Sequence, residues 1–277
     1  MRPVQLVIIT LLLGVVLGAG MMTIVSGPAN SLSDTPLLPD SGIFYQVSTI
    51  DALLEGIYDG VISSGELIQY GDLGIGTFDS LDGELILLDG VVYQARADGS
   101  VHRASDDLMV PFATVTYFNP SITIEGLHTT GYAGFEEHID ELIRSKNLMY
   151  AIRIDGDFSS VIVRAPHRQE HPFSRLVDAL EDQYMATHTD VSGSSVGFFL
   201  PGYFGGLNVP GYHLHFISDD RTIGGHIVDF SLDGAYVALE EGSLFLMHLP
   251  GEGAFINVDL SADLLGDLAV VERPAVM

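Results

Sequence analysis

The sequence predicts an α+β fold: two related mixed β-sheet units with a few packed helices, preceded by an N-terminal hydrophobic segment. Three observations lead there. Short apolar runs sit between Asp-Gly pairs at 82–83, 89–90, 98–99 and 233–234, and Asp-Gly supplies the positive φ values of tight hairpin turns. Only three stretches of the chain carry helical spacing, and few helices against many hairpin strands argue for antiparallel or mixed sheets. Finally, Phe78-Asp-Ser-Leu-Asp-Gly is echoed by Phe230-Ser-Leu-Asp-Gly, each ahead of a strand, a turn and another strand. The echo reads either as a duplicated sheet unit or as a chance likeness of two turns.

The elements follow in chain order. Arg2 precedes an uncharged run from Val4 to Val25 that ends in Ser26-Gly27-Pro28. This run reads as a signal peptide with a small-residue exit or as an uncleaved anchor, since 22 residues at helical rise span the ~30 Å hydrocarbon layer. A buried helix is the blander reading. Residues 28–42 carry Pro28, Pro36 and Pro39 among Ser and Asp and read as a linker. The folded part is therefore placed at 43–277, secreted or membrane-anchored and facing outward, with a membrane tether through residues 4–25 as the second option.

Ile50, Leu53, Leu54, Ile57 and Tyr58 recur at helical spacing, and Gly60 supplies a stop. Strands are expected at Glu84–Leu88, Val91–Ala95, Tyr150–Ile154, Ser160–Arg164 and Ser243–Met247. A second helix fits Gly134 to Lys146, with Phe135, Ile139, Leu142 and Ile143 on one face. A third is expected from Pro172, a good first helical position, through Leu176, Leu180 and Tyr184.

Composition removes several kinds of chemistry. There is no cysteine, hence no disulfide, thiolate metal site or cysteine nucleophile. Acidic residues outnumber basic ones 37 to 11, a net charge of −26, with Lys146 the sole lysine. Such a surface repels phosphate backbones, so nucleic acid is not an expected partner. It also fits life in high salt.

Among ten histidines, three stand in Gly211-Tyr-His-Leu-His-Phe-Ile-Ser-Asp-Asp-Arg-Thr-Ile-Gly-Gly-His. Residues two apart on a strand share a face, so His213 and His215 would aim side by side. Ser218 to Arg221 reads as a turn that returns the chain and brings His226 alongside, with Gly224-Gly225 permitting close backbone approach. Three neutral imidazoles with an open fourth position make a working zinc site. A strand with two histidines facing water stands beside that reading. Arg164, at the end of an apolar run in a chain poor in cations, calls for a carboxylate, structural or belonging to a substrate. Gly71-Asp-Leu-Gly-Ile-Gly lacks the Lys and the helix of a phosphate loop.

From about Gln46 to Pro274 the chain resembles the alpha-acetolactate decarboxylase family. The resemblance is carried by Gly71-Asp-Leu-Gly-Ile-Gly-Thr-Phe-Asp-Ser-Leu-Asp-Gly-Glu, by Pro172-Phe-Ser-Arg-Leu-Val, and by Gly206-Leu-Asn-Val-Pro-Gly-Tyr-His-Leu-His-Phe-Ile-Ser-Asp-Asp-Arg with Gly224-Gly-His. It implies zinc bound by His213, His215 and His226. It implies catalytic or substrate-contacting roles for Glu84, Arg164 and Glu272, and a fold of two related sheet units. The implied activity is decarboxylation of 2-acetolactate to acetoin. Loss of CO2 leaves electrons at C2 that need a sink at the C3 carbonyl. A Lewis acid chelated by the keto and hydroxyl oxygens stabilises the enediolate, and a carboxylic acid protonates C2 from one face. Val270 and Val271 are expected to pin a strand carrying Glu272 beside the zinc. A homodimer is compatible with this reading. Two other classes share the histidines: a non-enzymatic zinc-binding module, since a shorter domain often linked to DNA-binding proteins has a similar His-x-His…Gly-Gly-His run, and a zinc hydrolase.

Overall fold

A computed structural model of the chain describes residues 42–272. The expected leader (1–27) and the expected linker up to residue 41 lie outside the described residues. In chain order the elements are β1 (Ile43–Val47), α1 (Ile50–Leu54), β2 (Ile62–Ser63), α2 (Ser64–Leu67), β3 (Leu73–Thr77), β4 (Glu84–Leu88), β5 (Val91–Ala95), β6 (Val101–Arg103), β7 (Met109–Val110), β8 (Phe112–Thr116), β9 (Ile122–Thr129), α3 (Gly131–Leu142), β10 (Met149–Ala165), α4 (Leu176–Ala179), β11 (Tyr184–Leu200), β12 (Gly211–Ser218), β13 (Gly224–Gly242), β14 (Leu244–His248) and α5 (Leu265–Glu272). None of these helices is long and apolar enough to cross a membrane.

The architecture is α+β. The first sheet has the order β14-β1-β8-β3-β4-β5-β6 and is mixed, because β1 and β14 run parallel. The second is antiparallel throughout: β10, β11, β12 and β13 pair in turn, β13 pairs back to β10, and β9 joins β13. Alternation along the strands sorts side chains into layers. On β4, Leu85 and Leu87 join Val47, Leu67 and Val115 on the outer face of the first sheet. Ile86 and Leu88 instead meet Ala151, Val196, Phe198 and Ile217 of the second sheet. The far side of the second sheet packs on Tyr132, Phe135 and Ile139 of α3. A smaller cluster gathers α1, α4 and α5 through Ile50, Leu53, Leu176, Leu180, Leu268 and Val271.

Asp89-Gly90 makes the tight β4–β5 hairpin, with φ of 51° and 74°, and Asp98-Gly99 lies between β5 and β6. Asp233-Gly234 corrects the sequence reading. It lies inside β13, where Gly234 (φ 79°) sits in a break of register against β9 between Asp233 and Ala235. A left-handed glycine serves a bulge as well as a hairpin. The Phe-Asp-Ser-Leu-Asp-Gly echo therefore falls on a connection in one copy and on a continuous strand in the other, so it marks no repeated unit.

The expected strands at 150–154 and 160–164 are two halves of the single long β10. Helix α1 ends at Leu54, and α3 lies slightly upstream of its expected span. The third expected helix shrinks to α4. Leu176 and Leu180 are buried as a helical pair, but Tyr184 opens β11.

Candidate metal centre and its carboxylates

The parity of the strands brings the site together between the two sheets. On β12, Tyr212, Leu214 and Phe216 face the α3 layer, so His213 and His215 point the other way, toward the first sheet. The chain turns after Ser218 and returns as β13, where His226 stands opposite His215. On its other edge β13 pairs with β10, His226 opposite Arg164, and Gly225 (φ 146°) permits that approach, because a Cβ there would lie 2.5 Å from the carbonyl oxygen of Arg164. On β10 the register breaks between Phe158 and Ser160. Ile152 and Ile154 face the α3 layer before that bulge, and Val161 and Val163 after it. The switch of parity puts Arg164 on the same side as the histidines. On β4, Glu84 shares the parity of Ile86 and Leu88 and faces the second sheet.

The three imidazoles are buried, and one ligand nitrogen from each lies within 4.8 Å of the others. The facing nitrogens of His213 (Nε2) and His226 (Nδ1) are 3.1 Å apart. Two nitrogens on one tetrahedral zinc are about 3.3 Å apart, given bonds of 2.0–2.1 Å. Nδ1 of His215 lies 2.9 Å from the carbonyl oxygen of Leu85, which makes it the donor and leaves Nε2 as the lone pair. That Nε2 is buried without a hydrogen-bond partner. A backbone carbonyl that fixes tautomer and ring orientation is the usual support of a metal-binding histidine. Burial, reinforced by the charge of Arg164, pushes His213 down to about 3. Burial also holds His215 and His226 well below the ordinary histidine value, so all three are neutral donors. The residues present thus fit a divalent, nitrogen-preferring ion.

Two carboxylates flank the triad from opposite elements. Glu84 Oε2 is 3.6 Å from His215 Nε2, and its Oε1 is 3.6 Å from Arg164 Nη1. Burial pushes the Glu84 carboxyl up to about 7, opposed by Arg164 and helped by the charge of Glu272. Glu272 Oε2 is 3.7 Å from His226 Nε2 and 3.8 Å from His213 Nε2. It arrives on the last turn of α5 and not on a strand. Val271 anchors that helix, whereas Val270 is exposed. The expected valine pair fails because neighbouring residues on a helix diverge. Arg164 also reaches Gln183 at 3.4 Å.

All six residues line one small cavity of about 40 Å³. That is room for roughly three waters when each needs 10–15 Å³. Its opposite wall is apolar: Ile50, Leu53, Phe112, Leu176 and Leu180. The chamber thus presents imidazoles, carboxyls and a guanidinium together with an apolar wall. Helical spacing alone does not mark Leu176 and Leu180 as cavity residues, nor does it single out Thr77, which lines the cavity and donates to the Gly83 carbonyl at 2.7 Å. The signal for Thr77 lay in the glycine run just before it, which builds β3. His167 and His171 are exposed and take no part in the cluster.

Comparison with known proteins identifies the family. A family model described as alpha-acetolactate decarboxylase matches residues 44–262. A protein of that name from Methanosarcina mazei is 46% identical over 242 residues, covering 86% of this chain and 84% of its own. One from Bacillus subtilis is 40% identical over 229 residues, covering 82% and 90%. A crystal structure of alpha-acetolactate decarboxylase from Bacillus subtilis superposes with a TM-score of 0.81 at 38% identity, over 84% of this chain and all of that one. A Staphylococcus aureus structure, described as a protein of unknown function similar to alpha-acetolactate decarboxylase, gives 0.80 at 33%, over 83% of this chain and all of that one.

Proposed function

This chain belongs to the alpha-acetolactate decarboxylase family and is an enzyme of that kind, and we propose that it works with a zinc ion held by His213, His215 and His226. The observation that carries the reading is the buried triad of neutral imidazoles, with two carboxylates and a buried guanidinium facing one small cavity. When bound there, zinc supplies a Lewis acid for the keto and hydroxyl oxygens of 2-acetolactate, drawing the electrons that CO2 leaves behind.

The rest of the chemistry falls to the chain's own side chains. Arg164, buried and cationic, holds the substrate carboxylate or orients Glu84. Its position at the cavity wall allows either role, and both need a guanidinium that stays charged. C2 must gain one proton after CO2 departs, and Glu84 and Glu272 are the two carboxyls within the chamber that can hold it. Glu84 has its acid form favoured by burial. Glu272, on the other side of the triad, can deliver to the opposite face of the same carbon. The apolar wall receives the methyl groups and excludes water from the carbanion equivalent. Release of a single acetoin enantiomer follows when one of the two acids does the delivery.

The test is metal analysis with an acetoin assay on the purified protein. About one zinc per chain, lost together with acetoin formation on chelation and regained on adding zinc, supports the reading. A metal-free protein that makes acetoin at the full rate would overturn it. Ester or amide hydrolysis without acetoin would favour a zinc-bound hydroxide. For the N-terminal segment, we propose export through residues 4–25, with a retained tether or cleavage as its two forms. A full-length chain found in the cytosol with its N-terminus intact would contradict export. A homodimer is proposed for the soluble part, to be checked by light scattering.

A further inference from the structure

We infer that Arg175 is a positioning residue for the reaction, clamping α5 so that Glu272 is held over the histidine triad. The inference rests on the proposed role of Glu272 in proton transfer. Arg175 belongs to the Pro172-Phe-Ser-Arg-Leu-Val motif and lies at the N-terminal boundary of α4, outside the catalytic cavity. Its Nη2 lies 2.8 Å from Asp267 Oδ2 on α5 and 2.9 Å from Glu55 Oε1 at the end of α1. One guanidinium therefore ties together the two helices that meet at α4. The segment bearing it is seated firmly. Tyr58 donates to the Ser174 carbonyl at 3.0 Å, and a Cβ on Gly56 (φ 83°) would lie 2.7 Å from that same oxygen.

The need for a clamp follows from the helix itself. Helix α5 has eight residues, and isolated helices below ~12–15 residues are marginal in water. Its buried residues, Leu268 and Val271, pack on α1 and α4 together with Leu264 just before the helix. Such packing fixes which face is down but opposes sliding along the axis only weakly. Asp267 stands in the first turn and Glu272 is the last helical residue. The Arg175 contact holds the first turn, and at the other end the Glu272 carbonyl oxygen lies 3.3 Å from His226 Nε2, so the axial position of the carboxylate depends on the clamp as well as on that contact. Asp267 in the first turn also suits the helix dipole.

The pairs are partly exposed, with Arg175 at 43% and Asp267 at 38%, so they add little to global stability. Their effect should appear in the chemistry, where a misplacement of about 1 Å can cost 10²-fold. This separation is the test. Arg175→Gln, Arg175→Lys and Asp267→Asn are compared with the parent in kcat, KM, metal content and melting temperature. The same changes are then made in a Glu272→Gln background, and amide exchange of α5 is followed in the metal-free proteins. The expected result for Arg175→Gln is a kcat lowered about ten- to a hundredfold, with KM, zinc and melting temperature nearly unchanged. Lysine should restore part of the rate, Asp267→Asn should act in the same direction, and amides 268–272 should exchange faster. In the Glu272→Gln background, Arg175→Gln should cost nothing more.

Unchanged turnover in both Arg175→Gln and Asp267→Asn overturns the inference alone. So does an equal further loss in the Glu272→Gln background, which would show that Arg175 acts on the fold at large. If Arg175→Gln does not fold, Asp267→Asn decides by the same readouts. Normal turnover by Glu272→Gln itself overturns the proposed role of that glutamate and this inference with it.

Discussion

His213, His215 and His226 stand on strands hydrogen-bonded to neighbours on both sides, β12 between β11 and β13, and β13 between β12 and β10. Glu272, whose Oε2 lies 3.8 Å from His213 Nε2 and 3.7 Å from His226 Nε2, stands at the end of an eight-residue helix. The difference is one of error tolerance. A metal site needs several donors within tenths of an ångström, and paired strands supply that through register. A proton-handling carboxyl has to reach substrate, and a short helix can bring it there after the sheets have formed. The hairpin should therefore fail through loss of metal and the helix through loss of rate alone.

The largest expected effect tests the hairpin. Each of His213→Ala, His215→Ala and His226→Ala should remove most bound metal and nearly all activity, while His167→Ala removes neither. Elemental analysis beside the acetoin assay checks this. One zinc per chain and normal turnover in His213→Ala would falsify the proposed triad.

The helix comes next. Glu272→Gln should fold and bind zinc yet lose on the order of 10²-fold in turnover, the scale of a lost general acid. Removing residues 272–277 should do the same. If both variants also lose metal, the contrast between hairpin and helix disappears, and Glu272 belongs with the ligands. Wild-type turnover with the same acetoin enantiomer would leave Glu84 as the sole donor.

A third prediction sharpens what register contributes. Gly225→Ala puts a Cβ at 2.5 Å from the Arg164 carbonyl and forces a φ near 146° on an L-residue. Strain of this kind costs about 1–3 kcal/mol. It falls on the one pairing that sets His226 beside Arg164. Weaker zinc binding with a lower denaturation midpoint is expected. Gly90→Ala, with nothing within 4 Å of its Cβ, should leave zinc affinity unchanged despite its own positive φ. Equal zinc affinities in the two variants would show that backbone approach at Gly225 does not set the site.

The same contrast explains what could be read from the sequence. The His-x-His spacing, the turn at 218–221 and the double glycine are local signals that obey the two-residue period, so the side-by-side histidines were legible. Asp89-Gly90 was legible for the same reason. Asp233-Gly234 was not, because hairpin and bulge ask for the same left-handed glycine and only pairing with β9 separates them. The parity of Arg164 depends on a bulge five residues earlier that no motif marks. Leu176 and Leu180 showed correct helical spacing, but whether such a pair faces a core or a cavity is set by α1 and β8, far away in sequence. The terminal helix was the hardest. Val270-Val271-Glu272 satisfies a strand pattern, and its helical state depends on packing against α1 and α4.

The last prediction concerns Glu84, which belongs to the sheet and whose carboxyl is held in its acid form by burial. Its folded value is raised to about 7 by burial, whereas an unfolded glutamate titrates near 4.5. Below the unfolded value both states are protonated, and Glu84 imposes no charge on the buried site. As pH rises from about 4.5 the unfolded chain gives up the proton first, and the folded state loses ground until its own carboxyl ionises near 7. Stability associated with this group is thus present at low pH and lost as pH rises through that window. In the metal-free protein, the urea midpoint of the parent should fall relative to Glu84→Gln between pH 4.5 and 7, then run parallel to it. Taking the difference cancels the many surface carboxylates that titrate in both proteins. Zinc brings positive charge beside the carboxyl and favours its ionised form, so the slope should shrink in the loaded protein. A difference that stays constant over this window in the metal-free protein would mean that water reaches Glu84, and that the raised acid form is not what the sheet supplies to the chemistry.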